Sequence, residues 1–148
     1  MHDILLLFDD VDLVQTQNLP LSELWYFLPF GYLFTIAFET VVLIFGLSPK
    51  ITFRQKLACG VWLTACTYPI VILVLPAIFF GRSRAAYLFV AETFAPLAEC
   101  FLFWLAFRSR KILDRADWTR CFIAIILANL ASFGFGEVMN YYQWFGLF

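Results

Sequence analysis

Charged positions divide the chain into four long apolar stretches. Between Glu23 and Lys50 the only charged residue is Glu39, and between Lys56 and Arg82 there is none. Between Arg84 and Arg108 stand Glu92 and Glu99 alone, and after Arg120 the chain runs to Phe148 with Glu137 as its one charge. Each stretch meets the roughly 20 residues that a membrane-spanning helix needs, and none shows the short polar–apolar alternation of a barrel strand. The pattern predicts an all-α, polytopic membrane protein, with four transmembrane helices in one bundle over about 24–48, 57–81, 85–107 and 120–146 of a domain 23–148. Ser22 and Asp117 read as helix N-caps, and Ser48-Pro49 as a stop. Residues 1–22 carry Asp3, Asp9, Asp10 and Asp12 but no basic residue. They read as a short acidic segment outside the membrane, or an interfacial helix, rather than as a cleaved signal peptide.

Composition strengthens the membrane reading and excludes an ordinary soluble enzyme. Of 148 residues, 63% are hydrophobic and 14% charged, against roughly a quarter charged in a soluble domain. Basic residues then orient the helices. Lys50, Arg54 and Lys56 lie between the first two, and Arg108, Arg110, Lys111, Arg115 and Arg120 between the last two; only Arg82 and Arg84 lie between the second and third. Eight basic residues on one side against two on the other place the first and third connections in the cytoplasm and both termini outside. The location expected is the bacterial cytoplasmic (inner) membrane. Attraction to anionic lipid heads accounts for the basic third connection, so nucleic acid is not among the expected partners.

Depth brings the polar residues together. At 1.5 Å per residue, Glu39 and Glu99 come out roughly 12 Å from the cytoplasmic helix ends, Asn129 roughly 14 Å and Thr67 roughly 15 Å. Glu92 and Glu137 form a second level, roughly 22 and 27 Å deep. Glu92 and Glu99 share a helix face with Pro96 between them, which leaves the Glu92 carbonyl without its helical donor. Asn129, Ser132, Gly136 and Asn140 form a small or polar stripe on the fourth helix. Tyr32, Thr35, Glu39 and Gly46 do so on the first, and Gly60, Thr64, Thr67 and Tyr68 on the second. Small and hydroxylic stripes let membrane helices approach and bond one another, which accounts for most of these residues as packing.

The glutamates need more than packing. A charged acid near the middle of a spanning helix costs about 2.5 to 3.5 kcal/mol. The one histidine, His2, lies in the tail, and no basic residue lies in the interior of a span to pair with them. The acids must therefore be protonated, hydrated in a cavity or bound to a cation. Carboxylate, amide and hydroxyl oxygens suit hard ions such as Mg²⁺, Ca²⁺, Mn²⁺ or Na⁺, and protons alone are the simplest occupants. The Glu-x-x-His pattern of carboxylate-bridged metal bundles is absent. Candidate ion- or proton-handling residues are Glu39, Glu92, Glu99, Glu137 and Asn129, supported by Thr67, Tyr68, Ser132 and Asn140. Cys59, Cys66, Cys100 and Cys121 read as free buried thiols without a disulfide framework.

The Glu-x6-Glu pair of the third helix, followed by "NLASFGFGE" at residues 129–137, resembles a group of small, functionally unassigned four-helix bacterial membrane proteins. The resemblance implies equivalent roles for Glu39 in the first helix and the Thr67-Tyr68-Pro69 break in the second. It implies the same for Asn129-x-x-Ser132-Phe133 in the fourth, while Glu137 departs from the pattern. Two functions fit these observations: transport or conduction of protons or a hard cation, and a non-catalytic accessory subunit of a larger membrane complex. The lipid bilayer is the first partner, with membrane proteins or further copies of the chain as others. An intramembrane enzyme using paired carboxylates as acid and base ranks behind both, because no substrate site accompanies them.

Overall fold

The structure, a computed structural model, describes residues 21–142, excluding the side chains of residues 21–28, 84 and 139–141. The acidic stretch before Leu21 lies outside the described residues, as do the side chains of Asn140 and of Ser22, whose backbone is already helical. Four helices cover the rest: α1 Leu21–Gly46, α2 Phe53–Ile78, α3 Arg84–Phe107 and α4 Arg115–Tyr141. All four are long and apolar enough to cross a membrane, and there is no strand among the described residues.

Local chemistry sets the helix starts. Thr52 caps α2 in a reciprocal box: its hydroxyl accepts from the Gln55 backbone N–H, while the Gln55 side chain accepts from the Thr52 N–H. This starts α2 four residues before the expected boundary. Asp114 and Asp117 make the same exchange at the head of α4, over 2.9 and 3.1 Å. The cap is therefore Asp114 rather than Asp117, and α4 begins at Arg115 instead of 120. Sequence signals place Asp117 at the cap because it directly precedes the apolar run; an aspartate three residues upstream completes the box and draws a polar turn into the helix.

α2 is not uniform. It is α-helical over Phe53–Pro69, π-helical over Ile70–Val74 and α-helical again over Leu75–Ile78. In the π stretch the Leu75 N–H donates to the Ile70 carbonyl, five residues back. The next donor in that register would be residue 76, which is proline and has no N–H. The carbonyl so deprived is that of Val71, and the Tyr87 hydroxyl reaches it from α3 at 3.2 Å.

Short connections make sequential helices antiparallel neighbours. α1 packs on α2 and α4, and α3 packs on α2 and α4, so the four close into a ring. The outer surface is apolar, with Phe30, Phe45, Phe80 and Phe89 strongly exposed. Inside, Leu43, Leu47, Leu63, Phe103, Phe107, Cys121, Ile125 and Ala128 form the buried core. They fill the half of the bundle nearest the α1–α2 and α3–α4 connections. At that end basic side chains secure the chain. A helix leaves its last four carbonyls without helical donors. The Leu47 N–H meets that of Leu43, Lys56 that of Ile44, and Arg120 those of Phe45 and Gly46, so all four are met; Lys56 also holds the Leu47 carbonyl just beyond. Lys50 bridges Asp114 and Asp117, whose other oxygen accepts from the buried Ser48 hydroxyl. Cys59 and Cys121 are buried as expected of structural thiols, whereas Cys66 lies exposed on the outside of the bundle.

Candidate functional site

Directly above the apolar core, each of the four helices contributes to a closed polar ring. Glu39 comes from α1 and Glu99 from α3; their relative exposures are 3% and 1%, so neither reaches the surface. α2 supplies Thr64 and Thr67, and α4 supplies Asn129 and Ser132. In each helix the two residues are three apart, which puts them on one face, one turn apart. Each pair serves both acids. The Thr64 hydroxyl lies 2.5 Å from Glu39 Oε2, and the Ser132 hydroxyl 3.0 Å from Glu39 Oε1. The Thr67 hydroxyl lies 2.8 Å from Glu99 Oε1, and Asn129 Nδ2 donates to Glu99 Oε2 over 2.7 Å. Every carboxyl oxygen thus has one polar partner on a neighbouring helix.

The three hydroxyls also face their own helices. Thr64, Thr67 and Ser132 lie 2.7, 3.1 and 2.9 Å from the backbone carbonyls of Gly60, Leu63 and Asn129. Each of these carbonyls already accepts its helical N–H, so each hydroxyl, with one proton to donate, is free to give it to its glutamate. The ring also accommodates a proton on each glutamate. The carboxyl O–H then donates to a hydroxyl, and that hydroxyl donates onward to its helix carbonyl. Asn129 serves both sides at once, because its second N–H reaches the Ile125 carbonyl at 3.1 Å.

The structure brings together Glu39, Glu99, Thr67, Asn129 and Ser132 from the residues singled out in the sequence. It adds Thr64, which the sequence shows only as one member of a small-residue stripe. The signal that marks it is its spacing from Thr67, matched by the spacing of Asn129 and Ser132. Other candidates stand apart. Glu92 and Glu137 are half-buried and farther from the core. Tyr68 is not in the ring. Its hydroxyl lies over Gly31, where a Cβ would stand only 1.9 Å away, and its ring packs on Tyr32 at 5.8 Å between centroids. Gly136 does not face a neighbouring helix, since a Cβ there would meet nothing within 4 Å. No group of three or more His, Cys, Asp or Glu with metal-binding geometry occurs among the described residues. An open groove of about 640 Å³ lies between the ends of α1 and α4, away from the glutamates.

No family model, curated protein or solved structure matches this chain. The site is therefore read from its own geometry.

Proposed function

We propose that the chain is a small multi-pass membrane protein that handles protons at the Glu39–Glu99 ring, in transport or conduction. The observation that carries this reading is the enclosure of two carboxyls in one hydrogen-bonded ring inside an apolar bundle. Two carboxylates close enough to feel each other's charge, in an apolar interior and without a cationic partner among the described residues, would be costly to hold ionised. A hard cation suits the site less well. It takes six or more oxygens at about 2.0–2.6 Å, and every carboxyl oxygen here is already held by a direct hydrogen bond. The apolar core closes the ring toward the basic end of the bundle. Among the described residues, polar groups continue toward the α2–α3 turn through Glu92 and Glu137, so protons enter from that side. With the basic end in the cytoplasm of a bacterial inner membrane, that side and both termini face out.

Glu99→Gln tests the reading because a Gln amide can reproduce the neutral acid. Its carbonyl accepts from Asn129, and its N–H₂ donates to Thr67, which passes its own proton to Leu63. The variant should fold with stability within about 1 kcal/mol of wild type and remove one protonated-carboxyl band from the infrared difference spectrum. It should also abolish proton flux in reconstituted vesicles, as should Glu39→Gln. Wild-type vesicles that pass no H⁺, Na⁺, Mg²⁺ or Ca²⁺, from a chain that always co-purifies with a membrane partner, would favour the accessory subunit instead.

A further inference from the structure

At the basic end, between the last turn of α1 and the first three turns of α4, an open groove of about 640 Å³ runs along the outside of the bundle. Gly46 and Ala124 form its floor. A Cβ at Gly46 would lie 2.6 Å from that of Ala124, so the helices touch there and leave a shallow trough between the flanking side chains. Ala116, Thr119, Ile123 and Leu127 line it along one face of α4. From residue 116 to residue 127 the trough is about 16 Å long at 1.5 Å per residue, running from the helix start toward the bundle middle. Its lower part is apolar, with Ile123 and Leu127 both about half exposed. Near its upper end stands Arg120. Two of the five guanidinium N–H donors are taken by the Gly46 and Phe45 carbonyls at 2.8 and 3.2 Å. These bonds pin an exposed arginine at the mouth of the groove and leave the remaining donors free of the α1 carbonyls. Asp114 and Asp117, with Lys50 between them, keep one net negative charge nearby, but the other basic residues of this end outnumber it.

A fixed cation above an apolar trough, at the end of the bundle that carries eight of the ten lysines and arginines, is complementary to an amphiphile with an anionic head and a hydrocarbon tail. Basic pockets between transmembrane helices bind anionic lipid heads in this way. We infer that this groove is a binding site for an anionic phospholipid of the adjacent leaflet, with its phosphate at Arg120 and one acyl chain laid along Thr119, Ile123 and Leu127. The site is independent of the glutamate ring and does not rest on the proton reading.

The test uses the delipidated full chain in a neutral detergent, with melting temperature read against added lipid. Phosphatidylglycerol should raise it saturably, while phosphatidylcholine and soluble glycerol phosphate should not, since each lacks one half of the ligand. Ala116→Trp fills the trough without changing any charge, and should abolish the phosphatidylglycerol response while leaving the lipid-free melting temperature near wild type. Arg120→Gln should weaken phosphatidylglycerol binding about fivefold, the value of one arginine beside an anionic head, and will also lower the lipid-free melting temperature by uncapping α1. Arg110→Gln removes a basic residue away from the groove and should leave binding unchanged. A response that survives Ala116→Trp, or that falls equally with Arg110→Gln, would mean diffuse attraction and overturn the site. Equal responses to the two phospholipids would overturn the anionic head. A dimer that Ala116→Trp dissociates would assign the groove to a second copy of the chain.

Discussion

Gly60 shows how closely a single position governs the ring. A Cβ there would stand 2.1 Å from the Thr40 hydroxyl oxygen and 2.9 Å from Thr40 Cα, so α1 and α2 meet almost backbone to backbone. That contact is one turn from Thr64 and next to Glu39, and it sets the distance at which the two can bond. The same closeness leaves the Thr40 hydroxyl buried without a hydrogen-bond partner. Gly60→Ala must push the helices apart, because backbone rather than a flexible side chain stands in the way. It should cost about 1–3 kcal/mol, read as a lower melting temperature, and should shift the infrared band of the Glu39 carboxyl as its bond to Thr64 lengthens. Thr40→Val keeps the shape and removes the orphan hydroxyl, so its stability should equal or exceed that of wild type. If Gly60→Ala left both the band and the melting temperature in place, the close approach would not be what positions Glu39.

At the scale of elements, α2 is where the sequence and the chain part company most. Two prolines, Pro69 and Pro76, mark it as interrupted, yet nothing in the residue order says that the interruption becomes a π stretch. The π register is set by which carbonyls can find donors, and one of those donors, Tyr87, belongs to α3. Tyr87→Phe should strand the Val71 carbonyl, cost about 1–3 kcal/mol and speed hydrogen exchange over residues 70–76. Pro76→Ala returns an N–H that can reach Val71 in the same register. In the double variant the loss of the hydroxyl should therefore cost markedly less, and a double-mutant cycle measures that difference. Additive effects would mean that Tyr87 supports α3 packing rather than the π stretch. The four spans themselves were legible because apolar runs and charge breaks act over twenty residues and survive small errors at the ends. Their exact starts were not, because a capping box depends on a reciprocal exchange between two particular side chains.

For the whole molecule, depth arithmetic along separate helices was enough to bring Glu39, Glu99, Thr67 and Asn129 to one level. It could not distinguish Thr64, which pairs with Glu39, from Tyr68, which turns to Gly31, because that depends on how α2 is rotated against α1. The basic residues show the same limit. The sequence assigns them to orientation alone, whereas Lys56 and Arg120 also close the end of α1, and Lys50 ties the α1–α2 connection to the head of α4. This last tie gives the bundle a pH-dependent clip. The Lys50 ammonium beside Asp114 holds that carboxyl below the usual carboxylate range, and Asp114 and Asp117 hold the ammonium above its usual value. A lowered acid contributes stability that is present above its unfolded value of about 3.9 and is lost as pH falls through the folded value. A raised lysine contributes stability that is complete below about 10.4 and is lost as pH rises through the folded value. The difference in melting temperature between wild type and Lys50→Met should accordingly be flat between those limits and shrink beyond each. Salt should reduce it throughout, since Lys50 and Asp114 are solvent-exposed and such pairs are screened. A difference that stayed constant across pH and salt would show that Lys50 holds the connection through the packing of its aliphatic stem, with its charge contributing nothing.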